Sequence, residues 1–195
     1  MASSLYVREG VDLKSMAQVL TTRMEQLLRS DDIFISQIED VSVSARVKEP
    51  YSLWRKMLRY RKEAADMQRN SRGEKRDPQP TLSLKWVPDT LALRVVLSAM
   101  RLSSLEDDES LRTREKMLCF YALQLISDVW PSSAATAPEH KIKDYITSPK
   151  KNGYQSLHYS ASLIIGGEEW PFEVQVRSEE MHKVAEYGEW ADRRQ

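Results

Sequence analysis

The 195 residues balance 29 Lys and Arg against 29 Asp and Glu, so the molecule as a whole is not an electrostatic magnet for nucleic acid. With 41% hydrophobic and 30% charged residues, and no apolar run near the ~18 residues that suggest a membrane span, the chain is expected to be a water-soluble folded domain. Its one cysteine, Cys119, excludes an internal disulfide framework and a thiolate metal cage, and its apolar setting predicts a buried structural thiol in a reducing compartment.

The first dozen residues carry Glu9 and Asp12 and no apolar core, so no secretory or transit signal is visible there. Leu13, Met16, Ala17, Leu20, Met24, Leu27 and Leu28 recur at helical spacing and predict an amphipathic helix, the main element of an N-terminal segment (1–30) that packs on a domain spanning 31–195. The β-branched series Ile33, Ile35, Ile38, Val41, Val43 and Val47 predicts a strand pair or one long bent strand over 33–48.

Pro50 suits the first turn of a helix running from Tyr51 to about residue 69, because its missing N–H would be unpaired there anyway. Tyr51, Trp54 and Leu58 are its expected inward stripe, and Ser52, Lys56 and Arg59 form a second, polar and cationic face. Residues 70–80, rich in charge, Gly and Pro, read as a flexible surface insertion. Strands are expected over 82–86 and 91–97, the second almost continuously apolar and therefore central. A helix over 110–129 should bury Leu111, Leu118, Tyr121, Ala122 and Leu125, and small residues make 132–138 a linker.

Residues 156–165 alternate with period two, and Phe172, Val174 and Val176 alternate with Glu173, Gln175 and Arg177. Gly166 and Gly167 supply the turn between these strands. A two-residue loop would set Ser160 opposite Glu173, His158 opposite Gln175 and Ser156 opposite Arg177, giving one apolar face and one face dense in His, Glu, Gln and Arg. A last helix is expected over 179–191, with Met181, Val184, Ala185 and Gly188 inward and its continuation implying a longer parent chain.

Charge is clustered locally: residues 46–76 hold eleven Lys and Arg against four acids, and residues 141–151 hold four lysines against one aspartate. Both runs are phosphate-binding candidates, with solvated surface as the alternative reading. Glu173 on the polar hairpin face and Asp89 at the mouth of the apolar strand are the carboxylates expected to converge in a cleft. Such acids can hold Mg²⁺ while cations neutralise phosphate oxygens, and phosphate transfer needs both. The sequence contains no Walker-type or G-x-G-x-x-G loop, no short metal spacing among His140, His158 and His182, and no nucleophile elbow.

The run Lys141-Ile-Lys-Asp-Tyr-Ile-Thr-Ser-Pro-Lys-Lys-Asn-Gly-Tyr-Gln-Ser-Leu-His158, followed by Phe172-Glu-Val-Gln-Val-Arg177, Met181-His182 and Ala185-Glu-Tyr-Gly188, closely resembles the synthetase domain of the RelA/SpoT family. Arg46-Val-Lys48 with Tyr51-Ser52 and Lys56 resembles that family's ATP-binding motif, and Asp89-Thr-Leu-Ala-Leu-Arg94 its metal-binding strand. The likeness runs from about Val41 to Gly188. It implies an α/β (α+β) fold, a mixed sheet of about five strands flanked by helices and nucleotidyltransferase-like, and an ATP:GTP/GDP 3′-pyrophosphotransferase that makes pppGpp or ppGpp and AMP.

Carried onto this sequence, the resemblance implies that Arg46 and Arg94 sandwich adenine, that Lys48 and Lys56 grip the ATP phosphates with Ser52 also in the ATP site, and that Asp89 and Glu173 hold Mg²⁺ and are the catalytic acids. Glu173 is in addition the candidate base for the acceptor hydroxyl. Tyr154 would stack on guanine, with Lys143, Lys150, Asn152 and His158 around GDP or GTP and Gln175 and Arg177 supporting. The partners implied are these nucleotides, with no membrane and no strong case for nucleic acid. Three departures stand out: Lys151 where the family has proline, a longer stretch before Asp89, and Glu189-Trp-Ala-Asp192 in place of a His-Trp pair. The insertion and the Pro-Tyr-Ser-Leu-Trp wording resemble plant and algal members and imply a chloroplast, with a bacterial cytoplasm as the alternative. A catalytically silent module that binds guanine nucleotide is the rival reading. Asp89 and Arg94 lie five apart, an odd offset, so both reach one nucleotide only if the strand begins after Asp89 or bends.

Overall fold

The computed structural model describes residues 12–70, 87, 89–132 and 141–188, with the side chains of 60, 61 and 63–70 outside that set. The strand expected at 82–86, most of the 70–80 insertion, most of the 132–138 linker and the end of the last helix lie outside the described residues.

The elements in chain order are α1 (Leu13–Ser30), α2 (Asp32–Ile35), β1 (Ile38–Val47), α3 (Pro50–Asn70), β2 (Leu91–Ala99), α4 (Asp108–Val129), β3 (Ile142–Asp144), β4 (Leu157–Ile165), β5 (Glu168–Ser178) and α5 (Glu179–Tyr187). The strands form one five-stranded sheet in the order β1-β2-β5-β4-β3. Only the β2–β5 pairing is parallel, so the sheet is mixed, as expected. The central position belongs to β5. β2, expected there, is interior but one place from the edge.

Strand alternation divides the sheet into two faces. Leu91, Leu93, Val95 and Leu97 of β2, Phe172, Val174 and Val176 of β5, and Leu157, Tyr159 and Ala161 of β4 are buried on one face. The helices α1 and α4 cover that face, through the buried stripes Leu13, Met16, Ala17, Leu20, Met24, Leu28 and Leu118, Cys119, Ala122, Leu123, Ile126. Each large aliphatic side chain so buried contributes about 1.5–3 kcal/mol, which fixes the strand register, since a one-residue slip would turn the polar set inward. The other face carries the polar half of each strand, and α5 lies over part of it.

Three expectations fail for local reasons. Residues 32–35 are helical: the Asp31 side chain caps that turn by accepting from the Phe34 N–H at 2.7 Å, leaving Ile33 exposed and starting the strand at Ile38. In α3 the inward residue is Leu53, 1% exposed, with Met57 one turn on packed against the core. The stripe expected there, Tyr51, Trp54 and Leu58, lies on the opposite side, 66%, 55% and 42% exposed, because both stripes have helical spacing and only one can face the sheet. In α5, Met181 is buried but Val184 and Gly188 are exposed, because the helix rests on the sheet through its His182 and Glu186 side.

The β4–β5 turn follows the sequence reading closely. Ile165 pairs with Glu168 across Gly166 and Gly167, whose φ values of 58° and 83° match a two-residue turn that needs φ > 0 at both positions. Ser160 then faces Glu173 and His158 faces Gln175, as expected. The ladder begins at Leu157–Val176, so Ser156 lies just beyond it and donates its hydroxyl to the Val176 carbonyl at 3.2 Å.

Candidate active site

Cross-strand partners share a face, so the pairings place the polar side chains in rows. One row runs Arg46, Ala92, Glu173 and Ser160 across β1, β2, β5 and β4. The next crosses all five strands as Ser44, Arg94, Gln175, His158 and Lys143. Thr90 closes a turn onto the Val87 carbonyl through its N–H and hydroxyl, and β2 begins only at Leu91. The turn resolves the parity problem: Asp89 stands before the strand, and Arg94 points from it to the same side.

Arg46, Lys48, Ser52, Asp89, Arg94, Glu173 and Gln175 thus line one cleft of about 320 Å³, polar for most of its surface. A larger, more apolar groove of about 660 Å³ lies between α2 and α4 and contains none of these residues. The polar and charged residues named from the sequence gather in the smaller cleft.

Asp89 is gripped by two lysines. Lys48 Nζ donates to Oδ2 at 2.7 Å, and Lys56 Nζ lies 2.7 Å from Oδ1. Burial pushes its pKa up, but the bonds and charges of Lys48 and Lys56 outweigh this and hold it below the ordinary carboxylate value. Glu173 is held by an amide and an imidazole: Gln175 Nε2 donates to Oε2 at 2.7 Å, and His158 Nδ1 lies 3.3 Å from Oε1. Here too burial raises the pKa, but the contacts with His158 and Gln175 outweigh it, and although the Asp89 charge opposes them the net effect is a lowering. Both acids are therefore ionised at neutral pH, and they sense one another across the cleft.

His158 links this cleft to an aromatic cluster. Its Nε2 lies 2.8 Å from the Tyr154 hydroxyl, and the Tyr145 and Tyr154 rings meet its ring edge-on at 5.3 and 5.9 Å. Lys150 Nζ stands over both tyrosines, 4.3 Å from the Tyr145 centroid and 4.9 Å from that of Tyr154. The loop folds back because Gly153 takes φ 76°, with its N–H bonded to the Lys150 carbonyl and the Lys150 N–H to the Tyr154 carbonyl. Asn152 Oδ1 accepts from the Tyr154 N–H at 3.3 Å within the same turn. Lys143 and Asn152 are exposed at the cluster's rim.

Arg177 shares the polar face but is closed off, 1% exposed beneath α5. Its Nη2 donates to Glu186 Oε1 at 3.4 Å, the oxygen that also lies 3.0 Å from Arg94 Nη1. Glu186 therefore ties an arginine that lines the cleft to one buried behind it. The sequence reading named neither Glu186 nor Tyr145 as a site residue, although both fall inside the motif runs on which the resemblance rests.

Asp89 and Glu173 form a donor set suited to a hard divalent cation. Both Asp89 oxygens are held by lysines that a cation could displace, and two carboxylates leave the remaining positions to water and substrate, the usual arrangement for Mg²⁺. Among the described residues no group of three or more His, Cys, Asp or Glu forms a cage made by protein alone. No helix among them is long and apolar enough to cross a membrane.

A family profile described as the region found in RelA / SpoT proteins matches residues 45–194. The chloroplastic GTP diphosphokinase CRSH1 of Oryza sativa subsp. japonica is 30% identical over 165 residues, covering 84% of this chain and 23% of its own length. The probable chloroplastic GTP diphosphokinase CRSH of Arabidopsis thaliana is 29% identical over 176 residues, covering 90% of this chain and 25% of its own. The chain thus spans about a quarter of the length of these relatives. Among solved structures, small alarmone synthetase 2 of Bacillus subtilis superposes with a TM-score of 0.53 at 18% identity, covering 92% of this chain and 80% of that one. Small alarmone synthetase 1 of the same organism, bound to its product pppGpp, gives 0.50 at 17% identity, covering 97% and 80%. At such identities these likenesses concern the fold, and they agree with the mixed sheet and flanking helices seen here. A profile match over most of the chain, on motifs that the fold gathers around one cleft, makes this protein a member of the RelA/SpoT family.

Proposed function

We propose that the chain transfers pyrophosphate from ATP to the ribose 3′-hydroxyl of GDP or GTP, forming ppGpp or pppGpp and releasing AMP. The observation that carries this reading is the meeting of Asp89 and Glu173, distant in sequence, in one cleft lined by Arg46, Arg94 and Lys48. The names of the relatives, GTP diphosphokinases, support the same activity.

Arg46 and Arg94 are diagonal neighbours on β1 and β2, positions about 7–8 Å apart. That is roughly twice the ~3.5 Å contact distance of stacked planes, so one adenine fits between the two guanidinium groups. Lys48, Ser52 and Lys56 then meet the ATP phosphates, the lysines exchanging Asp89 for phosphate oxygens. Tyr154 offers its ring to guanine, and Lys150, Lys143, Asn152 and His158 surround the acceptor's diphosphate or triphosphate. Glu173 takes the proton of the 3′-hydroxyl as its oxygen bonds to the β-phosphorus. The bond from that phosphorus to the bridging oxygen breaks, and this oxygen leaves on AMP. Mg²⁺, held by Asp89 and Glu173, supplies neutralisation of the charge that develops on the phosphate oxygens.

The test is to incubate the protein with ATP, GDP and Mg²⁺ and to separate the nucleotides. AMP and ppGpp in equal amounts are expected. Nucleotide binding without product would favour the silent guanine-nucleotide-binding module. The relatives' chloroplastic designations support a chloroplast location, which imaging of a tagged full-length protein checks.

A further inference from the structure

Glu173 is held at both oxygens, and the two holders are partners of one another across the β4–β5 ladder: His158 on Oε1 and Gln175 on Oε2. An ionised carboxylate can only accept, so His158 Nδ1 carries the hydrogen in this contact. In the neutral ring Nε2 is then an acceptor, and the group 2.8 Å from it is the Tyr154 hydroxyl, which burial keeps protonated and able to donate. Directions agree along the whole chain: Tyr154 O–H to His158 Nε2, and His158 Nδ1–H to Glu173. The Tyr145 ring, edge-on at 5.3 Å, limits rotation of the imidazole. Stacking needs only the face of a tyrosine, and a phenylalanine would serve equally. The hydroxyl is spent on the histidine instead.

We propose that Tyr154 has two separable roles, its ring receiving the acceptor base and its hydroxyl, through His158, positioning Glu173. Seating of the base and aim of the carboxylate then pass through one side chain, and movement of the 150–154 loop disturbs both together. Tyr154 and His158 act here as positioning residues. The inference rests on the proposed activity, because it names what that activity requires of the hydroxyl.

The experiment compares Tyr154→Phe with Tyr154→Ala, and His158→Asn, whose amide can replace the Nδ1 donor, with His158→Phe. Tyr154→Phe should lower kcat about three- to tenfold, the worth of one neutral hydrogen bond, with KM for GDP and calorimetric GDP binding within about twofold of wild type. Tyr154→Ala should raise KM and weaken GDP binding. His158→Asn should recover part of the kcat lost in His158→Phe, with melting temperatures confirming that all four variants fold. Unchanged kcat in Tyr154→Phe, or a fall in kcat matched by loss of GDP binding, overturns the proposal. Long-range ¹H–¹⁵N spectra of the imidazoles give a readout independent of turnover. His158 should appear as the Nδ1–H tautomer, with its Nε2 resonance displaced in Tyr154→Phe; an Nε2–H tautomer, or an unmoved resonance, overturns it as well. A wild-type protein that yields no AMP would defeat the proposed activity, and the spectra would still decide the hydrogen-bond chain.

Discussion

The two carboxylates of the cleft are held in opposite ways. Asp89 sits between two ammonium groups, Lys48 and Lys56, whereas Glu173 rests on an imidazole and an amide, His158 and Gln175. An amide orients a carboxylate without cancelling its charge, whereas two ammonium groups neutralise it. Asp89 is overcompensated by its two lysines, which under the proposed function turn to an incoming phosphate. One wall is a carboxylate already aimed. The other is a set of charges that, under the proposed function, would rearrange when a polyanion arrives.

Removing each charge in turn should separate the two walls. Glu173→Gln should lower kcat about 10²- to 10⁴-fold, as loss of an acid–base group does, with only a modest fall in melting temperature because His158 keeps a carbonyl oxygen to bond and the Gln175 amide can turn to accept from the new NH₂. A kcat within tenfold of wild type would remove Glu173 from the proton's path. Asp89→Asn should abolish turnover to a similar degree yet release Lys48 and Lys56, so ATP binding without divalent cation should tighten by about fivefold in calorimetry. Weaker binding there would mean that the lysines do not reach the phosphates.

Acidification should touch both walls. Each carboxylate titrates below its ordinary value, so the native state binds fewer protons than the unfolded chain in that range. The stability they contribute is complete above about pH 5, past the ordinary carboxylate values, and is lost as pH falls through their lowered values. Urea unfolding from pH 6 to pH 2 should show a steeper loss in wild type than in Asp89→Asn. The smallest effect concerns the ground behind the cleft. Glu186→Gln removes the carboxylate that faces buried Arg177 and should cost about 1 kcal/mol, well below a fully buried pair because Glu186 is largely exposed. It should also loosen Arg94 and raise KM for ATP, since Glu186 Oε1 holds that guanidinium at 3.0 Å.

The parts of this arrangement governed by strict alternation were legible in the sequence. His158, Glu173 and Gln175 could be set on one face, in register, from period two and a Gly-Gly turn alone, and α1 from its unbroken stripe. Helix α3 was not so readable, because Leu53 with Met57 and Tyr51 with Trp54 and Leu58 are both valid helical stripes. The larger aromatic set turned out to face solvent, where Tyr51 and Trp54 contact each other with rings 6.2 Å apart. Ile33 was misread because one capping aspartate outweighs β propensity over a single turn. The roles suggested for the site residues came from resemblance to a family. Their convergence required tertiary pairing, above all the parallel contact of β2 with β5, which no local pattern encodes. Glu186 escaped notice for the same reason: its partners come from two strands that are separate in sequence.

That parallel contact has a consequence for how the protein is made. β2 and β5 are joined only through residues 100–167, so a chain emerging from the ribosome carries Asp89, Arg46 and both lysines long before Glu173 exists to face them. Non-local parallel pairing closes late and pays its loop entropy first. Under the proposed function, a nascent or truncated protein would therefore expose a cationic half-cleft able to hold a nucleotide tail but unable to act on it, and competence would arrive when the middle strand slots between its neighbours.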